Sequence, residues 1–194
     1  DPVLLKLVPK LTSLEPITLK GRYNSVNDSI VVDGKIPRLV YGTNTISGGV
    51  ISIKTENDSL AYEINLDQVE NSQFLLPNTN LKGSISNNVI AYRLQILDKK
   101  DNESYLVAGS LESKDGNSII QLDSDGLILN YEPWNIDPKN ILRFGKAGIY
   151  ADKFALSNKA SSIRLKTQSE KPNSPLEVQF TDFNIESISK KKKK

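Results

Sequence analysis

Leu60-Ala61-Tyr62-Glu63-Ile64-Asn65-Leu66 and Ile90-Ala91-Tyr92-Arg93-Leu94-Gln95-Ile96 decide the fold class. In both stretches a bulky apolar residue stands at every second position. Successive side chains of a strand point to opposite faces, so this spacing makes a ribbon with one buried and one wetted side. The same alternation appears in Ile17 and Leu19, in Leu127, Leu129 and Tyr131, in Ile163 and Leu165, and in Leu176, Val178 and Phe180. The chain is therefore expected to be all-β.

Polar clusters separate these runs: 24–28, 56–58, 78–80, 99–102, 114–117 and 123–126. Asn, Asp, Ser and Gly there suit hairpin connections. Asp115-Gly116 and Asp125-Gly126 read as hairpin tips, because both residue types accept positive φ. Asp28-Ser29-Ile30, Asp58-Ser59-Leu60, Asn88-Val89-Ile90 and Asn117-Ser118-Ile119 each open a strand after a turn, at spacings of 30, 30 and 29 residues. A glycine precedes each: Gly21, Gly49, Gly83 and Gly109. Such a period suggests hairpins stacked along an axis. Val3, Leu4, Leu7 and Val8 approach helical spacing after Pro2, so residues 1–11 are expected to form a short helix ended by Pro9. Residues 16–185 are read as stacked hairpins within one elongated domain, 1–189. Lys190–Lys194 is read as a disordered tail. Trp134, between Pro133 and Pro138, is expected to anchor packing where the sheet bends.

Composition narrows the chemistry. The 194 residues include no Cys, His or Met. Disulfides, thiolate metal sites and imidazole bases are thereby excluded. A chain without Met that begins Asp1-Pro2 reads as a fragment or processed product, with any signal or anchor lying outside it. The net charge of +2 owes five positives to the lysine tail; without them 20 basic residues face 23 acidic ones. That balance argues against a nucleic-acid partner. No run of apolar residues is long enough to span a bilayer as a helix.

Phosphate-loop and nucleophile-elbow spacings are absent. Asp67, Glu70, Asp98, Asp101, Asp123, Asp125, Glu132 and Asp137 lie mostly in turns, and none has the apolar setting that raises a general acid's pKa. Asp123-Ser124-Asp125-Gly126 resembles the start of a calcium loop, but the position of the bidentate Glu is held by Trp134. No cofactor, metal or catalytic residue is expected. Aromatic content of 7% does not favour a carbohydrate-binding face. What remains is apolar surface. An open curled sheet would expose a groove lined by Ile17, Leu19, Leu60, Tyr62, Ile64, Leu66, Ile90, Tyr92, Leu94, Ile96, Leu127 and Leu129. A closed β-sandwich would consume the same residues as core. Alternation alone does not separate the two. Lys20, Lys54 and Lys82 are candidates for edge protection.

The arrangement resembles the TamB family of bacterial envelope proteins, in its Bacteroidetes form. The resemblance is carried by Leu19-Lys20-Gly21-Arg22-Tyr23, Asp58-Ser59-Leu60-Ala61-Tyr62 and Leu81-Lys82-Gly83-Ser84-Ile85. It continues through Leu127-Ile128-Leu129-Asn130, Trp134-Asn135-Ile136, Asn140-Ile141-Leu142-Arg143-Phe144, Phe154-Ala155-Leu156-Ser157 and Val178-Gln179-Phe180-Thr181-Asp182-Phe183-Asn184-Ile185. It runs through nearly the whole chain without a diagnostic motif. It implies a β-taco, a sheet curled into an open apolar trough, in a periplasmic section of a protein anchored in the inner membrane. The partners it implies are phospholipid acyl chains and outer-membrane assembly proteins. The alternative is a β-sandwich scaffold that binds envelope proteins, for instance by strand addition.

Overall fold

In a computed structural model the described residues, 8–183, are all-β: 72% of them are strand, in antiparallel sheets that do not close into a barrel. No described segment is a helix long and apolar enough to cross a membrane. The described residues fall into two compact units, 8–84 with 95–102, and 85–94 with 103–183.

The first unit is a single sheet. Its strands are β1 (Leu11–Leu14), β2 (Thr18–Asn24), β3 (Ser29–Tyr41), β4 (Asn44–Glu56), β5 (Ser59–Glu70) and most of β6 (Leu75–Ser86). β3 to β6 lie side by side in chain order, and β1 and β2 share the outer edge of β3. β7 (Val89–Leu97) gives its last three residues to this unit and its first six to the other.

In the second unit, β8 (Glu103–Lys114) and β9 (Asn117–Leu129) continue as a hairpin. β12 (Ile141–Gly145) and β13 (Gly148–Asp152) extend that sheet beyond β9. The two-residue β10 (Glu132–Pro133) also pairs with β9. A separate four-stranded sheet runs β11 (Asn135–Ile136), β14 (Phe154–Asn158), β15 (Ser161–Thr167), β16 (Leu176–Thr181). Trp134 is the one residue between β10 of the first sheet and β11 of the second, so it stands where the chain changes layers. Its side chain is buried, with Leu122, Leu127, Ile136, Ala151 and Phe154 around it. The packing anchor expected at this residue is present, and this unit has a two-layer core.

The repeated turns are hairpin tips. Asn57-Asp58, Asn87-Asn88 and Asp115-Gly116 each place both residues at positive φ, as a two-residue tip between twisted strands requires. The turn at 24–28 is longer and is tied by Tyr23 Oη donating to Asp28 Oδ1 at 2.6 Å.

Two expectations are corrected. The helix over 1–11 is not seen: residues 1–7 lie outside the described residues, 8–10 form a turn, and Leu11 opens β1. The outer edge of β3 offers Leu11–Leu14 a ladder at Tyr41, Val40 and Leu39. Asp125-Gly126 is not a hairpin tip. Gly109 pairs with Leu122 and Val107 with Leu127, so Asp123-Ser124-Asp125-Gly126 bulges out of β9 opposite Ala108 alone. Strong turn residues met a strong ladder on both sides and left it locally rather than ending it.

Candidate functional site

The register of the first unit assembles apolar side chains into rows that cross four strands. Opposed residues of an antiparallel pair share a face. Leu19 of β2, Gly34 of β3, Ile51 of β4 and Ile64 of β5 form one row. Gly21, Val32, Ile53 and Tyr62 form the next, and Tyr23, Ile30, Thr55 and Leu60 the one beyond. Ile36 and Gly49 oppose each other on the other side of the Leu19 row, with Leu66 against Gly49. The glycines make space in these rows. A Cβ on Gly34 would lie 3.3 Å from Leu19 Cδ1, and one on Gly49 would lie 3.1 Å from Ile36 Cβ.

This face is apolar yet not enclosed. Among the described hydrophobic residues of the first unit only Ile96 is buried. Leu60, Tyr62, Ile64 and Leu66 are half-buried, and Leu19 is 67% exposed. Partial burial still acts on Tyr62, whose phenol is raised above its ordinary pKa by desolvation.

The reverse face is polar. Asn80 Nδ2 donates to Glu63 Oε1 at 2.8 Å and to Asn65 Oδ1 at 2.7 Å, and Ser52 reaches Asp33. Lys54 pairs with Glu56 there, and the hydrogen bond and charge of Glu56 raise the lysine's pKa. Of the proposed edge lysines, Lys20 stands on the edge strand β2, whereas Lys54 and Lys82 lie on β4 and β6, which have neighbours on both sides.

The twelve expected lining residues are thus distributed unevenly. Leu19, Leu60, Tyr62, Ile64 and Leu66 share one face. Ile17 is exposed just before β2. Ile90, Tyr92 and Leu94 are half-buried on the part of β7 that belongs to the second unit, and Ile96 is buried on the part that belongs to the first. Leu127 is enclosed in the Trp134 core and Leu129 packs against it. Alternation did not identify Val32, Ile36, Ile51 and Ile53 as members of the same rows, although each stands at an alternate position in its own strand.

No protein-family model matches this chain, and no curated protein or solved structure matches it. The described residues hold no cluster of three or more acidic side chains spaced to bind a metal ion.

One further feature shapes the face. Along β3, β4 and β5 the apolar residues change parity at a single row, Pro37, Gly48 and Asp67. Past it the aligned apolar positions are Leu14, Leu39, Ile46 and Val69. Gly48 has φ 63°, and Asn78 in β6 has φ 44°. The bulge opposite Ala108 follows at a similar spacing. The 30-residue repeat therefore carries a mid-strand irregularity as well as a turn.

Proposed function

We propose that the apolar face of the first unit carries lipid acyl chains, as a non-enzymatic section of a TamB-like protein that works in the periplasm between inner and outer membranes. The observation that carries this reading is the set of apolar rows across β2–β5, which have no second layer among the described residues of their unit. An acyl chain laid on such a surface leaves water at about 0.8 kcal/mol per buried CH₂. Rows of similar side chains let a chain slide without a large barrier, while its headgroup stays in solvent. Curling of the sheet into a trough and anchoring of the parent protein in the inner membrane belong to the same proposal, as does a role in outer-membrane protein assembly.

A second reading has its own observation. The second unit closes two sheets over Trp134, as a β-sandwich scaffold does. In that reading the chain binds envelope proteins and takes up no lipid.

Native mass spectrometry of the purified chain, with organic extraction of what co-purifies, separates the readings. Stoichiometric phospholipid or fatty acid supports the acyl-chain surface. A clean protein that afterwards takes up no fluorescent lipid overturns it in favour of the scaffold.

A further inference from the structure

The edges of the sheets are not equally protected. An exposed strand edge is a template for pairing with another chain, and folded proteins blunt it with charge, brevity, proline or cover. β2 is guarded by Lys20 and Arg22. β13 is covered: Thr167 Oγ1 accepts from Ala151 N at 2.7 Å, and Asn173 N donates to Ala147 O just before the strand. β10 and β11 have two residues each. Among the described residues, β16 is the least guarded, with a single charge, Glu177, and no proline.

β16 reads Leu176-Glu177-Val178-Gln179-Phe180-Thr181, with no lysine, arginine or proline. It pairs with β15 on one side and, among the described residues, ends its sheet on the other. Its apolar residues lie on the face shared with the core, since Phe180 opposes Ile163 and Val178 opposes Leu165. The core takes Leu176 but does not cover the other two: Val178 is 47% exposed and Phe180 60%. Phe183 packs beside Phe180 at 5.6 Å between ring centroids and continues the apolar strip to Trp134.

We propose that β16 is a homodimerisation edge, at which a second copy of this chain adds its own β16 antiparallel. The occupant follows from self-complementarity. With Val178 on the two-fold axis, Val178 opposes its counterpart, Leu176 opposes Phe180 of the other copy, and Glu177 opposes Gln179. Every apolar residue then meets an apolar one on the same face, and no charge meets a like charge. Moving the axis to Gln179 sets Leu176 against Asp182, so the Val178 register is the self-complementary one. The same operation on β2 about Gly21 sets Lys20 against Arg22 and is repelled. Five paired residues from each copy make a small interface, so the dimer is weak and depends on concentration. This proposal does not depend on the lipid reading, since β16 lies outside the first unit.

Sedimentation velocity of the full chain over a wide concentration series tests it. The expected result is a reversible monomer–dimer equilibrium that Val178→Lys weakens at least tenfold and Leu19→Lys, on β2, leaves unchanged. Circular dichroism confirms that each variant is folded. Because the chain has no cysteine, Val178→Cys gives an independent readout. The introduced thiols should crosslink into a disulfide dimer under mild oxidation, faster than those of Val31→Cys on β3. A chain that stays monomeric throughout the series overturns the proposal. So does a dimer that Val178→Lys leaves intact, or crosslinking no faster at position 178 than at position 31.

Discussion

Gly48 lies so close to Asp67 across the β4–β5 ladder that a Cβ on the glycine would overlap the aspartate side chain. The glycine also has φ 63°, in the left-handed region that L side chains rarely adopt. Both constraints fall on the row where three strands change the parity of their apolar residues. Gly48→Ala is therefore expected to destabilise the first unit by about 1–3 kcal/mol. Urea unfolding of the single variants and of Gly48→Ala with Asp67→Ala checks this. The double variant should lose less than the sum of the singles, because removing the carboxyl relieves part of the overlap.

Asn140 completes a ladder that β12 starts too late to supply. Leu142 of β12 opposes Ile120, so position 140 falls opposite Leu122. There the side chain stands in for a strand: Oδ1 accepts from Leu122 N at 2.9 Å, and Nδ2 donates to Leu122 O and Asp137 O, each at 2.7 Å. The residue is fully buried. Asn140→Leu replaces it with an apolar side chain and leaves both polar groups of Leu122 without this partner beside the 123–126 bulge. A loss of about 2–4 kcal/mol is expected from denaturant unfolding. Asn140→Asp should fare no better, since it keeps the acceptor but loses both donors and brings a charge into the core.

Much of this architecture was legible because strand periodicity and turn chemistry are local. Tyr62 and Ile64 declare their face within seven residues, and Asn57-Asp58 or Asp115-Gly116 declare their tips within two. What was not legible depends on partners distant in sequence. Asp123-Ser124-Asp125-Gly126 has turn composition, but whether it ends a strand or bulges from one depends on the ladders on either side. Ile64 and Leu127 stand in the same kind of alternation. Only the second sheet, reached through Trp134, makes Leu127 core while Ile64 stays half-buried. Leu11 opens a strand because β3 offers Leu11–Leu14 backbone partners that sequence spacing does not reveal.

That difference between Ile64 and Leu127 can be tested with one substitution at two places. Ile64→Asp puts a carboxylate on a half-buried face, where water can solvate it. Leu127→Asp puts it into the Trp134 core. The first variant is expected to stay folded and to lose uptake of fluorescent lipid. The second is expected to unfold its unit, since an unpaired buried charge and a lost core side chain together cost more than about 4 kcal/mol. Thermal melts with Trp134 fluorescence report the second unit directly. Full lipid uptake by folded Ile64→Asp would remove the acyl-chain reading.

Tyr62 gives the apolar face a titratable reporter. Desolvation favours its neutral phenol in the folded chain and raises its pKa above the ordinary 10.0. A raised pKa means that the folded state holds the proton more tightly than the unfolded state. The associated stability is complete below the ordinary value and is lost as pH rises through the raised one. Tyr23, raised by its hydrogen bond to Asp28, and Tyr150, raised by burial and by Asp152 and Glu170, add to the same alkaline loss. Tyr62→Phe should therefore flatten the decline of the melting temperature above that pH without abolishing it. An acyl chain lying on the face would desolvate the phenol further. Ultraviolet difference titration should then show one tyrosine ionising at higher pH when fatty acid is present, and Tyr62→Phe should erase that shift. A shift that survives in Tyr62→Phe would place the bound lipid away from the rows of β2–β5.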